Sequence, residues 1–219
     1  MRTYQIVTDT NSDLPQSYVK EHGLVEVPQY YSIGDEIYEG SAGPSPSEFY
    51  RLMREGSMPK SQAVNPAVVE KTFREILDAG KDILYISFSS ALSGSCDIVR
   101  MVAKQLVEEE YPDAVIEVVD SLCVSLGEGL LVNKALAMQA QGKTLAEVRD
   151  WLVENAVHVC VKFTVDDLFH LQRGGRVSKA TAVVGSVLNL KPVLKLTPEG
   201  KLEAAGTVRG RKKSLTAQV

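Results

Sequence analysis

Cysteine and histidine are scarce in this chain, and their placement excludes more than their number. Cys96, Cys123 and Cys160 are widely separated and odd in count, and none stands at ligand spacing from another cysteine or from His22, His158 or His170. A disulfide framework and a zinc site both need such spacing, so no metal is expected. The pattern predicts reduced, small, buried thiols of a cytoplasmic protein. Long apolar runs are also missing. The longest weakly polar stretch, residues 182–190, is too short to span a bilayer and ends at Lys191-Pro192. The start, Met1-Arg-Thr-Tyr-Gln-Ile-Val-Thr-Asp9, runs straight into a strand pattern without a signal-peptide core, which predicts a soluble intracellular protein with no membrane insertion.

Charge excess is small as well. A formal net charge of −4 over 219 residues argues against a general nucleic-acid binder. No Gly-x-Ser-x-Gly elbow is present for a serine hydrolase, and none of the histidines has a promising partner. Gly127-Glu-Gly129 and Gly174-Gly175 match neither a dinucleotide fingerprint nor a lysine-bearing phosphate loop. Repeats and low-complexity tracts are absent. Hydrophobic content of 44% and charged content of 24% are those of an ordinary globular protein with a substantial core.

What is present is a strand pattern opening into serines. Ile83-Leu-Tyr-Ile-Ser-Phe-Ser-Ser-Ala-Leu-Ser-Gly-Ser95 carries Ser87, Ser89, Ser90, Ser93 and Ser95, and helical spacing of Ile98, Met101, Val102 and Leu106 follows. Hydroxyls and the partnerless first amides of a helix then surround one point, which suits an anion. Helix capping alone needs fewer serines.

The rest of the first half alternates strands and helices. Strands are expected at residues 4–8, 25–31, 83–87 and 114–119, with a short hairpin at Ile37-Tyr38. Helices are expected after Asp13 as N-cap, over residues 47–54, 66–79, 97–107 and 124–141, and from the capping box Thr144-Leu-Ala-Glu147 to about residue 155; residues 56–66 read as a loop. This pattern predicts a parallel α/β sheet, and in such sheets ligands bind beyond the carboxyl ends of strands. Asp9-Thr10, Phe88-Ser-Ser90 and Asp120-Ser121 occupy such ends. From Val157 the texture changes: a buried strand to residue 165 carrying a structural His158, a helical turn at 166–171, a basic glycine turn at 172–179, a helix at 181–190, and strands at 192–196 and 202–207 joined through Pro198-Glu-Gly200. Arg209-Gly-Arg-Lys-Lys213 then begins a helix.

A binder of an amphiphilic carboxylate needs few groups. Neutral donors supply roughly 1.5–3 kcal/mol per charge-assisted bond, and each buried methylene adds about 0.8 kcal/mol. Orientation comes from hydroxyls and most affinity from an apolar tunnel.

Seven pieces in order resemble the DegV family, the fatty-acid-binding carrier subunits of bacterial fatty acid kinase. They are Ile6-Val-Thr-Asp-Thr-Asn-Ser-Asp-Leu14, Pro59-Lys-Ser-Gln62, Ser87-Phe-Ser-Ser-Ala-Leu-Ser-Gly-Ser95, Val119-Asp-Ser121, Leu171-Gln-Arg-Gly-Gly-Arg-Val-Ser178, Leu188-Asn-Leu-Lys-Pro-Val-Leu194 and Arg209-Gly-Arg-Lys-Lys213. The resemblance implies two α/β domains, an N-terminal parallel-sheet domain over residues 1–156 and a smaller one over 157–219, with segment 57–79 a candidate for packing against the second. It implies a buried fatty acid whose carboxylate is held by Ser61 and Ser93, with Gly94 and Arg173 at the head group. Ser61 stands where the family often has threonine. Arg176 is implied near the head group too, and with Arg209 and Arg211 on the face met by a separate ATP-using kinase subunit. The chain itself would then be a non-catalytic carrier without a cofactor.

Each residue has a plainer reading. Ser61 could satisfy loop amides, Ser93 could cap a helix, and Arg173 and Arg176 could pair with Asp166 or Asp167; the basic cluster could be a solvated face, and Asp9 and Asp120 could close their own turns. Family members usually continue beyond the basic cluster in strands and helices that complete the second domain. A shortened second domain predicts an exposed apolar edge around residues 193–208 and self-association. The reading from another class is a small-molecule enzyme using Asp9, Ser93 and Asp120 on a phosphorylated metabolite.

Overall fold

The computed structural model describes residues 2–166, 168–177 and 190–218. In chain order, β1 (Tyr4–Asp9) is followed by α1 (Gln16–Glu21), β2 (Val25–Val27), β3 (Tyr30–Ile33), β4 (Glu36–Glu39) and α2 (Pro46–Arg54). Next come β5 (Lys60–Gln62), α3 (Pro66–Asp78), β6 (Asp82–Ser87), α4 (Ser95–Glu109), β7 (Ile116–Asp120), α5 (Leu126–Ala140) and α6 (Leu145–Asn155). The remainder holds β8 (Lys162–Phe163), α7 (Leu168–Arg173), β9 (Leu190–Leu196), β10 (Leu202–Arg209) and a last helix at Arg211–Thr216.

The core is a parallel sheet ordered β2-β1-β6-β7. Its central strands are buried on both faces, so Ile6-Val7 and Ile83-Leu-Tyr-Ile86 read as continuous apolar runs. Alternate side chains go to opposite layers. Val7, Ile83 and Tyr85 pack with Val69, Phe73, Val99 and Leu106 from α3 and α4. Ile6, Leu84 and Ile86 pack with Leu131, Val132, Val148 and Leu152 from α5 and α6. Each such side chain contributes about 1.5–3 kcal/mol on burial. Within segment 57–79, α3 thus belongs to the first of these layers. The expected capping box is formed at Thr144 and Glu147.

Two small antiparallel sheets complete the molecule, ordered β4-β3-β5 and β10-β9-β8. The first divides what reads as one strand at residues 25–31. β2 pairs with β1, and β3 pairs with β4 and β5. Pro28 lies between them and has no N–H to offer a ladder. The expected loop at 56–66 contains β5, with Ser61 opposite Tyr31. Asp13 is not the N-cap of α1: it takes a left-handed φ of 53° after the turn Thr10–Ser12, and α1 begins behind Pro15 without a side-chain cap.

Residues 157–165 do not make a buried strand. A 3-10 turn occupies Ala156–His158, Val157 and His158 are exposed, and β8 pairs with β9 at Lys162 and Phe163. His158 is therefore not an interior histidine, and Cys160 is exposed while Cys96 and Cys123 are buried. The expected helix at 181–190 falls outside the described residues up to 189, and Leu190 opens β9. In the hairpin of β9 and β10, Val193 and Leu194 are buried, and the outer strand exposes Ala204 and Ala205. Among the described residues no helix is long and apolar enough to cross a membrane.

Candidate functional site

Three parallel strands end side by side at Asp9, Ser87 and Asp120. Both carboxylates accept from backbone amides, local and distant. Asp9 Oδ1 accepts from the Asn11 N–H at 3.0 Å, and Oδ2 accepts from the Phe88 N–H at 3.2 Å and the Tyr85 hydroxyl at 3.5 Å. Asp120 Oδ1 accepts from the N–H groups of Leu122 at 3.0 Å and Ser90 at 3.2 Å. They pin the start of the serine loop from its two neighbouring strands. Leu122 and Ser125, just beyond β7, hold left-handed backbone with φ of 52°. Such strain in non-glycine residues gathers where a site overrides local preference.

The serines divide by partner. Ser87 donates to the Phe88 carbonyl at 3.1 Å, and Ser89 donates to the Gly200 carbonyl at 2.9 Å. Gly200 has φ +73°, and a Cβ there would collide with Ser89 Oγ and lie 3.1 Å from Leu122 Cα, so the β9–β10 turn is seated directly on the loop. Ser90 is exposed. Ser93 sits one residue before the N-cap Gly94 of α4, half-buried, with its Oγ 2.9 Å from Ser95 Oγ.

Ser95 is a hub. Its buried hydroxyl meets the Val64 N–H at 3.2 Å and Gln29 Nε2 at 3.2 Å as well as Ser93. It thereby joins the start of α4 to the segment after β5 and to the β2–β3 link, whose Gln29 N–H also bonds Thr10 Oγ1 at 3.0 Å. Ser61 is exposed on β5, three residues before Val64. A segment of that length reaches at most about 11 Å, so the Val64–Ser95 bond keeps Ser61 in the neighbourhood of Ser93. Gly94 is exposed, with open space where a side chain would stand.

The arginines separate. Arg176 Nε donates to the Leu92 carbonyl at 3.2 Å, next to Ser93, and its guanidinium also bonds the Gly174 carbonyl. Arg173 is exposed at the end of α7, and Arg209 is exposed at the end of β10. Arg211 lies 3.9 Å from Asp166, which Lys191 engages at 3.1 Å. Among the described contacts, Lys191 and Arg211 are cation partners of Asp166.

A second acid lies behind the loop and was not expected. Glu128, in the first turn of α5, is fully buried, and its Oε2 has no hydrogen-bond partner. Its Oε1 is 2.7 Å from Thr8 Oγ1, which is also 2.9 Å from the Ile86 carbonyl. One hydroxyl proton cannot serve two acceptors. The Thr8 proton therefore goes to one of them, and the Glu128 oxygen is the nearer. Burial pushes the Glu128 carboxyl well above its ordinary range, the charge of Asp9 adds to this, and the bond from Thr8 opposes it. Burial also lifts Asp9, to about 6, against the amides of Phe88 and Asn11. The sequence signal was Gly127-Glu-Gly129, a charge between two glycines: a Cβ at Gly129 would lie 2.9 Å from the Ser12 carbonyl, so α5 starts hard against the β1 turn.

Surface clefts lie elsewhere, one of about 390 Å³ between α4 and β7 and one of about 170 Å³ beside residues 156–160 and 196–198. Among the described residues no cluster of His, Cys, Asp or Glu is placed to hold a metal ion.

The fold and the site define a mixed α/β protein with a parallel sheet whose strand ends carry a hydroxyl-rich loop at a helix start. The family model described as "Uncharacterised protein, DegV family" matches residues 3–219, and the chain belongs to the DegV family. A DegV domain-containing protein of Clostridium perfringens is 40% identical over 217 residues, covering 98% of this chain and 74% of that protein. A DegV family protein of Thermus thermophilus, described for its fatty acid binding, is 35% identical with a TM-score of 0.87, over 100% of this chain and 75% of the other. The fatty acid kinase (Fak) B3 protein of Streptococcus pneumoniae, loaded with linoleic acid, is 26% identical with a TM-score of 0.84, over 99% and 76%.

Proposed function

We propose that this protein binds a long-chain fatty acid and presents its carboxylate to a separate kinase subunit for phosphorylation. Ser93 and Ser61 hold the carboxylate, Gly94 lets it approach the start of α4, and Arg173 and Arg176 add positive charge nearby. Arg209 and Arg211 belong to the face that meets the kinase. The acyl chain is buried in apolar surroundings. It supplies most of the affinity, because each methylene adds about 0.8 kcal/mol while the head-group bonds are few.

The observation that carries the reading is the half-buried Ser93 hydroxyl at the start of α4, in a chain that aligns along its whole length with a fatty-acid-binding relative. A helix start and a hydroxyl donor suit a carboxylate. The enzyme reading loses support, because the carboxylates it would use, Asp9 and Asp120, are occupied by amides of the serine loop. The carrier reading also fits a cytoplasmic setting and two units divided near residue 156.

The test supplies oleate, ATP and a fatty acid kinase catalytic subunit, with and without this protein, and traps acyl phosphate as the hydroxamate. Hydroxamate that depends on this protein is expected. Equal amounts in its absence would contradict the presentation role.

A further inference from the structure

Ser89 is fully buried and bonded on three sides. Its N–H donates to the Cys123 carbonyl at 3.0 Å, and its carbonyl accepts from the N–H groups of Leu92 at 3.1 Å and Ser93 at 3.2 Å. Its hydroxyl donates to the Gly200 carbonyl at 2.9 Å, across 111 residues of chain. One residue thus ties the Ser93 backbone to the link between β7 and α5 and to the β9–β10 turn. That turn is closed by its own bonds. The Thr197 N–H donates to the Lys201 carbonyl at 2.9 Å, the Gly200 N–H donates to the Thr197 carbonyl at 2.9 Å, and Thr197 Oγ1 accepts from the Glu199 and Lys201 N–H groups at 3.3 Å. None of these uses the Gly200 carbonyl. Gly200 is buried, and a buried carbonyl and a buried hydroxyl each need a partner; here each supplies the other's.

Resting on the fatty-acid reading above, we infer that Ser89 and the β9–β10 turn form a clamp that positions Ser93 for the carboxylate. Ser89 is a positioning residue: its side chain is committed to Gly200, and it acts through the backbone bond that its carbonyl makes with Ser93. With the hydroxyl gone, the turn no longer holds Ser89, and the Ser93 N–H loses a fixed acceptor. A hydrogen bond weakens steeply as its donor turns away, so the head group feels the change. The acyl chain, held by non-directional apolar contact, does not. Head-group affinity therefore depends on a hairpin far along the chain from the serine loop.

The test is Ser89→Ala in the full chain, with affinities for oleate and oleyl alcohol measured side by side. The alcohol has the same tail and no charge at its head. A disturbed tail site would weaken both lipids, whereas a displaced Ser93 weakens oleate selectively, because its bond to a charged acceptor is the stronger one. Oleate binding is expected to fall roughly fivefold while alcohol binding holds. In a Ser93→Ala background the same change is expected to add nothing, since it acts through that residue. Equal losses for the two lipids, unchanged oleate binding, or full additivity with Ser93→Ala overturns the clamp. Should Ser89→Ala not fold, Ser89→Cys keeps a weaker donor at similar volume: an oleate-selective loss supports the clamp, and a loss shared by both lipids, or none, overturns it. If the unaltered protein takes up no oleate, the carrier reading falls and the clamp with it.

Discussion

Ser61→Ala combined with Ser93→Ala is expected to weaken fatty acid binding by on the order of 3 kcal/mol, roughly a hundredfold. In the proposed site each hydroxyl gives the carboxylate a charge-assisted bond, but Ser61 is exposed, so water replaces part of what is lost. The folded state changes little. Ser93 gives up its contacts with Ser95 Oγ and N–H, and Ser95 keeps Val64 and Gln29 as partners. Displacement of a fluorescent fatty acid by saturated acids of increasing length checks this. The gain per methylene should be the same in both proteins, with the lines offset by the head-group loss. Coincident lines would remove these serines from the site.

Stability should fall as pH rises above 5, and Glu128→Gln should remove much of that fall. A carboxyl whose pKa is raised by folding holds a proton that the unfolded chain releases. Its contribution is complete below the unfolded pKa and is lost as pH climbs through the folded value. For Asp9 the window runs from its ordinary 3.8 to about 6. For Glu128 it opens at 4.5 and runs upward, because burial raises that acid well above its ordinary range. Each retained proton costs up to about 1.4 kcal/mol per pH unit inside its window. Glutamine keeps an amide partner for the Thr8 hydroxyl without an ionisable group, so the variant should gain on the unaltered protein as pH rises from 5 to 8. Urea unfolding across that range is the measurement. Parallel profiles would mean that Glu128 does not titrate as a buried acid.

The sheet was legible in the sequence because β1 and β6 are continuous apolar runs, and a strand buried on both faces has to read that way. The helices after them announced themselves by spacing and by stops such as Gly142. β5 did not, because Lys60-Ser-Gln62 is short, polar and exposed, and pairs through backbone alone. The split of residues 25–31 was written in Pro28 but hidden by the apolar texture on either side. Around the site, the strand-end logic pointed to Asp9, Phe88 and Asp120, and those ends do converge on the serine loop.

Finer roles were not readable. Ser93 and Ser95 look alike in sequence, and the fold separates them: Ser95 is buried against Val64 and Gln29, and Ser93 is half-buried. Gln29 has no motif around it and matters through contacts with residues far along the chain. Arg176 was read both near the head group and on the kinase-facing side, and it bonds the Leu92 carbonyl beside Ser93.

The most direct test of the account is organic extraction and mass spectrometry of the protein purified from bacteria. The account predicts about one long-chain fatty acid per chain, replaceable by added palmitate. Protein that carries no long-chain acid and takes up no palmitate would contradict it.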